Sequence, residues 1–187
     1  MPFDLQPTLR GDLVELRPLR DEDFDAVYAV ASDPLIWEQH PERERYREDV
    51  FRRFFHEAME SGGAFLILDR ASGKPVGSTR YFGYDPQQSE IEIGWTFLAR
   101  SHWGGRFNGE MKRLMLEHAF RFVKHVVFLV GPQNLRSRKA VERIGGVEIG
   151  TRVAGGRESI VYEITADRFK ARSRSAARSS SQRGARE

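Results

Sequence analysis

The sequence predicts an α/β (α+β) domain built on a mixed, mostly antiparallel sheet of about seven strands with packed helices. Three observations predict it. Short apolar or alternating runs recur at residues 13–19, 64–69, 75–82, 90–97, 124–130, 147–153 and 159–164, which is strand patterning. Stretches with apolar positions three and four apart lie between some of them, at 24–31, 47–61, 111–122 and 135–143, which is helix patterning. The connections then decide topology: short turns make consecutive strands antiparallel neighbours, whereas the whole helix between the fourth and fifth strands requires a parallel crossover.

Each element has a local cause. Pro18 stops the first strand, and Asp21, Glu22 and Asp23 load negative charge on the first turn of a helix whose apolar positions are Phe24, Val27, Tyr28 and Ala31. Asp33-Pro34 ends that helix. The irregular stretch 35–41 holds Trp37 and His40, and reads equally as a buried loop anchor or a substrate wall. Phe51, Phe54, Phe55 and Ala58 give the next helix one apolar face, and Gly62-Gly63 stops it. Residues 64–69 and 75–82 form a hairpin, and 90–97 alternates strictly between polar and apolar faces. In the third helix Met111, Leu114, Met115, His118, Ala119 and Phe122 make one stripe, with Lys112, Arg113, Glu117 and Arg121 expected on the opposite face. His118 within that stripe reads as a satisfied core histidine. Asn134 introduces the fourth helix, Gly145-Gly146 closes it, and 147–153 with 159–164 make a final hairpin around residues 154–157.

Composition bounds the rest. The 187 residues suit one domain at 1–170 and an Arg/Ser-rich tail at 171–187 that is expected to be disordered. Five arginines against one glutamate give that tail +4 of the net +3, leaving about −1 for the body. The tail is open to two readings, a solvated end or an arm contacting nucleic acid or the ribosome. With no cysteine, disulfides, thiolate metal sites and cysteine nucleophiles are excluded. Residues 1–7 lack a secretory pattern and no apolar run approaches a membrane span, so the expectation is a cytoplasmic protein without membrane contact.

The stretch 95–110 runs from strand through Gly104-Gly105 into a helix, and such a junction gathers free backbone N–H groups that suit phosphate. Taken with 92–96, 103–112, 134–146 and 76–81, and with the element order, the chain resembles the GCN5-related N-acetyltransferases (GNAT) over about residues 13–169. The resemblance is to the branch that includes the ribosomal-protein N-terminal alanine and serine acetyltransferases. It implies helices on both sheet faces, splayed fourth and fifth strands, acetyl-CoA as co-substrate without a metal, and a primary amine as acceptor, on a protein N-terminus or a small molecule. One departure stands out: Arg106 occupies the central glycine position of the family's pyrophosphate loop, whose first and last positions are Trp103 and Asn108. A positive φ at residue 106 would strain arginine, a helical φ would not, and Gly104 and Gly105 are able to carry the unusual geometry instead.

The same resemblance assigns donor binding to Trp103, Gly104, Gly105, Arg106, Phe107, Asn108 and Gly109 at the turn, Phe97 and Leu98 on the strand, and Asn134 and Ser137 on the fourth helix. Ser137 would serve the departing thiolate, although Asn134 and Ser137 read equally as helix-capping residues. Glu92 is the candidate general base, with His40 as the alternative, and Trp37, His40, Arg80, Tyr81 and Trp95 are candidates for the acceptor site. Arg136, Arg138 and Lys139 are expected to face solvent. A non-catalytic acyl-CoA-binding module and a nucleic-acid-associated protein remain as competing readings, and a homodimer stays open.

Overall fold

A computed structural model describes the backbone of residues 3–154 and 156–184 and side chains up to Ser175 apart from Ala154; Gly155 of the closing turn and residues 185–187 of the tail lie outside the described residues. The strands are β1 (Leu9–Arg10), β2 (Val14–Pro18), β3 (Ala64–Asp69), β4 (Pro75–Asp85), β5 (Glu90–Leu98), β6 (His125–Val130), β7 (Val147–Ala154) and β8 (Arg157–Thr165). The helices are α1 (Phe24–Ala31), α2 (Glu48–Glu60), α3 (Arg106–Ala119), α4 (Leu135–Arg143) and α5 (Ala166–Gly184). They form one eight-stranded sheet in the order β1-β2-β3-β4-β5-β6-β8-β7, with β5 and β6 the one parallel pair. The strand beyond the expected seven is the two-residue β1.

Both faces of the sheet are covered, and the alternation along β3 shows why its sequence is apolar throughout. Phe65 and Ile67 enter a core with Met111, Met115 and Ala119 of α3, while Leu66 enters a second core with Val27 of α1 and Phe51, Phe54 and Phe55 of α2. Each such fully buried side chain contributes about 1.5–3 kcal/mol. His118 is the core histidine expected: it is buried, with Nε2 2.7 Å from Asp4 O and its ring between Phe3 and Phe122.

Three expectations need correction. Lys112 is not on the solvent face of α3 but 4% exposed beneath the sheet. Arg113 and Glu117 do face solvent, paired at 2.8 Å. Residues Arg121 and Phe122 lie past the end of α3, which stops at Ala119. The tail, expected to lack structure, is helical to Gly184: α5 continues from β8, Phe169 stacks on Phe120 at 5.4 Å, and Arg172 Nη2 donates to Arg143 O at 2.6 Å at the end of α4. The docked first turns carry the helix past residue 170, where composition places the end of the domain.

Candidate active site

The site begins where β5 and β6 part. Their ladder has three rungs, ending at Glu92 against Val127, although β5 continues to Leu98 and β6 to Val130. The outer half of β5 stays with β4, through Gly77 opposite Leu98 and Ser78 opposite Phe97. A side chain at residue 77 would meet Phe97 O at 2.0 Å, so glycine is required for that approach.

A β-bulge lies between the two halves of β5. The register passes from Arg80 opposite Gly94 to Ser78 opposite Phe97, so Trp95 and Thr96 together face the single residue Thr79. Trp95 has φ +50, a conformation that costs a non-glycine residue about 1 kcal/mol. The bulge reverses the facing of the strand: Ile91 and Ile93 enter the α3 core, whereas Phe97 enters the α1/α2 core against Trp37 at 5.1 Å.

A cleft of about 320 Å³ opens in the gap. Phe97 and Leu98 line it from β5, Trp103, Gly104, Gly105, Asn108 and Gly109 from the turn and first turn of α3, and Asn134 and Ser137 from α4. Nine of the eleven expected donor-binding residues therefore meet in one space. The other two do not line it: Arg106 is exposed, and Phe107 packs against the His102 ring at 4.6 Å. The departure at residue 106 is resolved by the backbone. Gly104 and Gly105 carry the positive φ values, +102 and +105, and Arg106 is the first residue of α3.

The two helix starts differ. At α3 no side chain caps the first turn, and the Gly109 N–H is taken by Gly105 O at 2.7 Å, so the amides before it have no side-chain acceptor. At α4 Asn134 Oδ1 accepts the Ser137 N–H at 3.1 Å, so Asn134 caps the helix, and it also lines the cleft. Arg136 is not a solvent residue: its backbone N–H bonds Gln39 Oε1 at 3.1 Å, its guanidinium donates to Ile36 O at 2.7 Å, and it lies 4.0 Å over the Trp103 ring. That side chain ties the loop after α1 to α4 across the cleft, a signal no local pattern carries. Arg138 is likewise occupied, donating to Tyr162 Oη at 2.9 Å.

On the α1/α2 face, Glu92 is half-buried, and burial pushes its carboxyl up to about 7 against the pull of Arg152, with Glu90 adding to the rise and Arg80 opposing it. Arg80 is 3% exposed, held by the carbonyls of Glu57 and Phe54 at 3.3 and 3.4 Å and by the Trp95 ring at 4.7 Å. Trp37 is a buried loop anchor, its Nε1 donating to Ala31 O at 2.7 Å, and the residue also lines the cleft. His40 lines the cleft too, accepting the Glu42 N–H at Nδ1, 2.9 Å. Burial, with Arg45 beside it, pulls its pKa down to about 3, so it is a neutral ring and a poor base. Tyr81 is misassigned to an acceptor site: it lies on the opposite face, fully buried, with Oη donating to Met115 O at 2.6 Å.

Residues 14–147 match the family model described as Acetyltransferase (GNAT) domain. The chain belongs to the GNAT acetyltransferase family. Solved structures with the same fold include a GCN5-related N-acetyltransferase from Brucella melitensis, at 23% identity and TM-score 0.79, covering 91% of this chain and 83% of that one. A GNAT-family acetyltransferase from Bacillus anthracis aligns at 19% identity and TM-score 0.70, over 85% of this chain and 98% of its own. Mycobacterium smegmatis RimJ, solved with CoA-disulfide, aligns at 21% identity and TM-score 0.65, over 86% and 87%. As a GNAT acetyltransferase the protein takes its acetyl group from acetyl-CoA. Among the described residues no helix is long and apolar enough to cross a membrane, and no group of three or more His, Asp or Glu is placed to hold a metal ion.

Proposed function

We propose that this GNAT protein is an N-acetyltransferase moving an acetyl group from acetyl-CoA to a primary amine by direct attack, with an α-amine of a protein or peptide N-terminus as the favoured acceptor. The observation that carries the reading is the splay at Glu92: past it, Gly104, Gly105, Asn108 and Gly109 at the uncapped start of α3, Phe97 and Leu98 of outer β5, and Ser137 of α4 all line one cleft.

The acetyl donor supplies an activated thioester carbonyl. The amides at the start of α3 would hold its pyrophosphate, where the helix dipole contributes about 0.3–2 kcal/mol. The backbone of Phe97 and Leu98 would align its arm, with one N–H polarising the carbonyl oxygen. Glu92 would take the proton that the amine loses, and the Ser137 hydroxyl would donate to the sulfur as the C–S bond breaks. A base near 7 suits an α-amine: deprotonating a group of pKa about 8 at neutral pH needs about 1 kcal/mol, against about 4 kcal/mol for a lysine-like amine.

The test is free-thiol release from acetyl-CoA in the presence of peptides with free N-termini, polyamines, aminoglycosides and amino acids. Turnover with peptides whose N-terminus is free, and none when it is blocked, is the expected result. Turnover confined to a small amine would remove the N-terminal reading, and binding without turnover on any acceptor would remove the enzyme reading.

A further inference from the structure

Lys112 is a cation buried at a cost. It stands on α3 with its ammonium under the sheet, 4% exposed, and among the described residues no carboxylate lies within ion-pair distance. Its Nζ donates to Thr96 Oγ1 at 2.6 Å and lies 3.4 Å from Thr79 Oγ1, with the Phe128 ring 5.7 Å away. The two hydroxyls are 2.7 Å apart. Burying a cation without a counter-charge is strongly unfavourable, and a methionine would fill the same apolar space without that penalty. Stability therefore does not account for the residue.

Its partners do. Thr79 and Thr96 face each other at the bulge, where the ladder between β4 and β5 skips from one register to the next. The lysine spans that gap from below, joining both strands where backbone pairing is interrupted. Thr96 also lines the cleft, and the two residues after it form the strand end assigned above to the donor.

We propose that Lys112 is a positioning residue for the donor cleft: through the hydroxyls of Thr96 and Thr79 it clamps the β5 bulge and holds Phe97 and Leu98 in their splayed geometry. The functional half of this inference rests on acetyl-CoA occupying that cleft. Burial draws the lysine down to about 7, and either protonation form keeps an N–H for Thr96, so the clamp persists through the titration.

Two measurements on the full chain test it: hydrogen exchange of residues 95–98 without ligand, and acetyl-CoA affinity with turnover, on Lys112→Met, Thr96→Val, Thr96→Ser and the Lys112→Met/Thr96→Val double variant. Lys112→Met and Thr96→Val should each speed exchange at these amides at least tenfold and raise the acetyl-CoA Kd fivefold or more. Thr96→Ser, which keeps the hydroxyl, should stay within twofold of wild type, and the double variant within twofold of the worse single one. Exchange and affinity unchanged in Lys112→Met would reduce the lysine to space-filling, and losses that multiply in the double variant would show that it does not act through Thr96. If Lys112→Met does not fold, the Thr96→Val and Thr96→Ser pair still decides, since both keep the lysine. If wild type binds no acetyl-CoA, the proposed function falls, while the exchange comparison still tests the clamp.

Discussion

The carboxylate of Glu110 accepts the backbone N–H of Val14 at 2.9 Å, although 96 residues separate them. The same group takes the N–H of Leu13 at 2.7 Å and of Asp12 at 2.9 Å, so the second turn of α3 is bolted to the start of β2. A side chain at residue 11 would strike this carboxylate at 2.4 Å, which leaves glycine to make the approach.

Glu110→Gln is expected to lower unfolding stability by about 2 kcal/mol, because three amides lose a charged acceptor. Partial burial raises the Glu110 carboxyl, but the amides of Asp12, Val14 and Leu13 outweigh it and hold the pKa below its ordinary 4.5. A depressed folded pKa means the contribution is complete above about 4.5 and is lost as pH falls through the folded value. Denaturant unfolding at pH 7 and pH 3 should therefore show the two proteins converging in acid.

Glu92→Gln should reduce kcat/KM by about 10²–10⁴-fold, the usual contribution of a positioned general base. In wild type the rate should climb as pH rises through about 7, where Glu92 ionises, and this limb should vanish in the variant. Burial raises this carboxyl, so its ionisation weakens the fold as pH rises from about 4.5 to 7. Glu92→Gln should accordingly be more stable than wild type at pH 8, a gain in stability with a loss of activity that a purely structural carboxylate would not give.

Ser137→Ala should lower kcat about 10–100-fold, the value of one hydrogen bond to a charged leaving group, with acetyl-CoA Kd within threefold. The helix itself should survive, because the cap uses the Ser137 backbone N–H and not its hydroxyl. Asn134→Ala removes that cap, at about 1 kcal/mol, and should weaken donor binding as well. A pH-independent drop in kcat for the serine variant alone separates the two roles.

Arg106→Gly should keep acetyl-CoA binding within about tenfold, or 1.4 kcal/mol, since the side chain is exposed and does not line the cleft. Gly105→Ala is expected to be worse. Nothing lies within 4 Å of the added methyl, but φ +105 is strained for alanine by about 1–2 kcal/mol, and relaxation would turn the first amides of α3 away from the cleft. Calorimetric titration of the two variants compares side chain against backbone directly.

Much of this was legible in the sequence because strands and helices carry their own periods. The parallel crossover follows from patterning and connection lengths, whereas the gathering of Phe97, Leu98 and residues 103–109 with Asn134 and Ser137 was implied by the resemblance to the GNAT family. What stayed hidden involves residues that break their local rule. Strict alternation over 90–97 leaves no place for a bulge, so the reversal at Trp95, and with it the side of the sheet that Phe97 faces, was not visible. Tyr81 was a candidate because the family fold would set its segment around the cleft, when its hydroxyl is spent on Met115 in the opposite core. Lys112 was given to solvent because charge defines the polar face of a helical pattern, and only the two threonines above it make burial tolerable. Arg136 and Glu110 act across 97 and 96 residues, and spacing along the chain contains no trace of such pairs.

The chain has three tryptophans, and two of them line the cleft. Trp37 and Trp103 line the cleft, one buried and one 38% exposed under the Arg136 guanidinium, and Trp95 marks the bulge beside Arg80. Trp95 alone contributes a background from outside the cleft. A ligand entering between β5 and β6 meets two of the three indoles, so the ultraviolet emission of the unlabelled molecule is an optical gauge of occupancy.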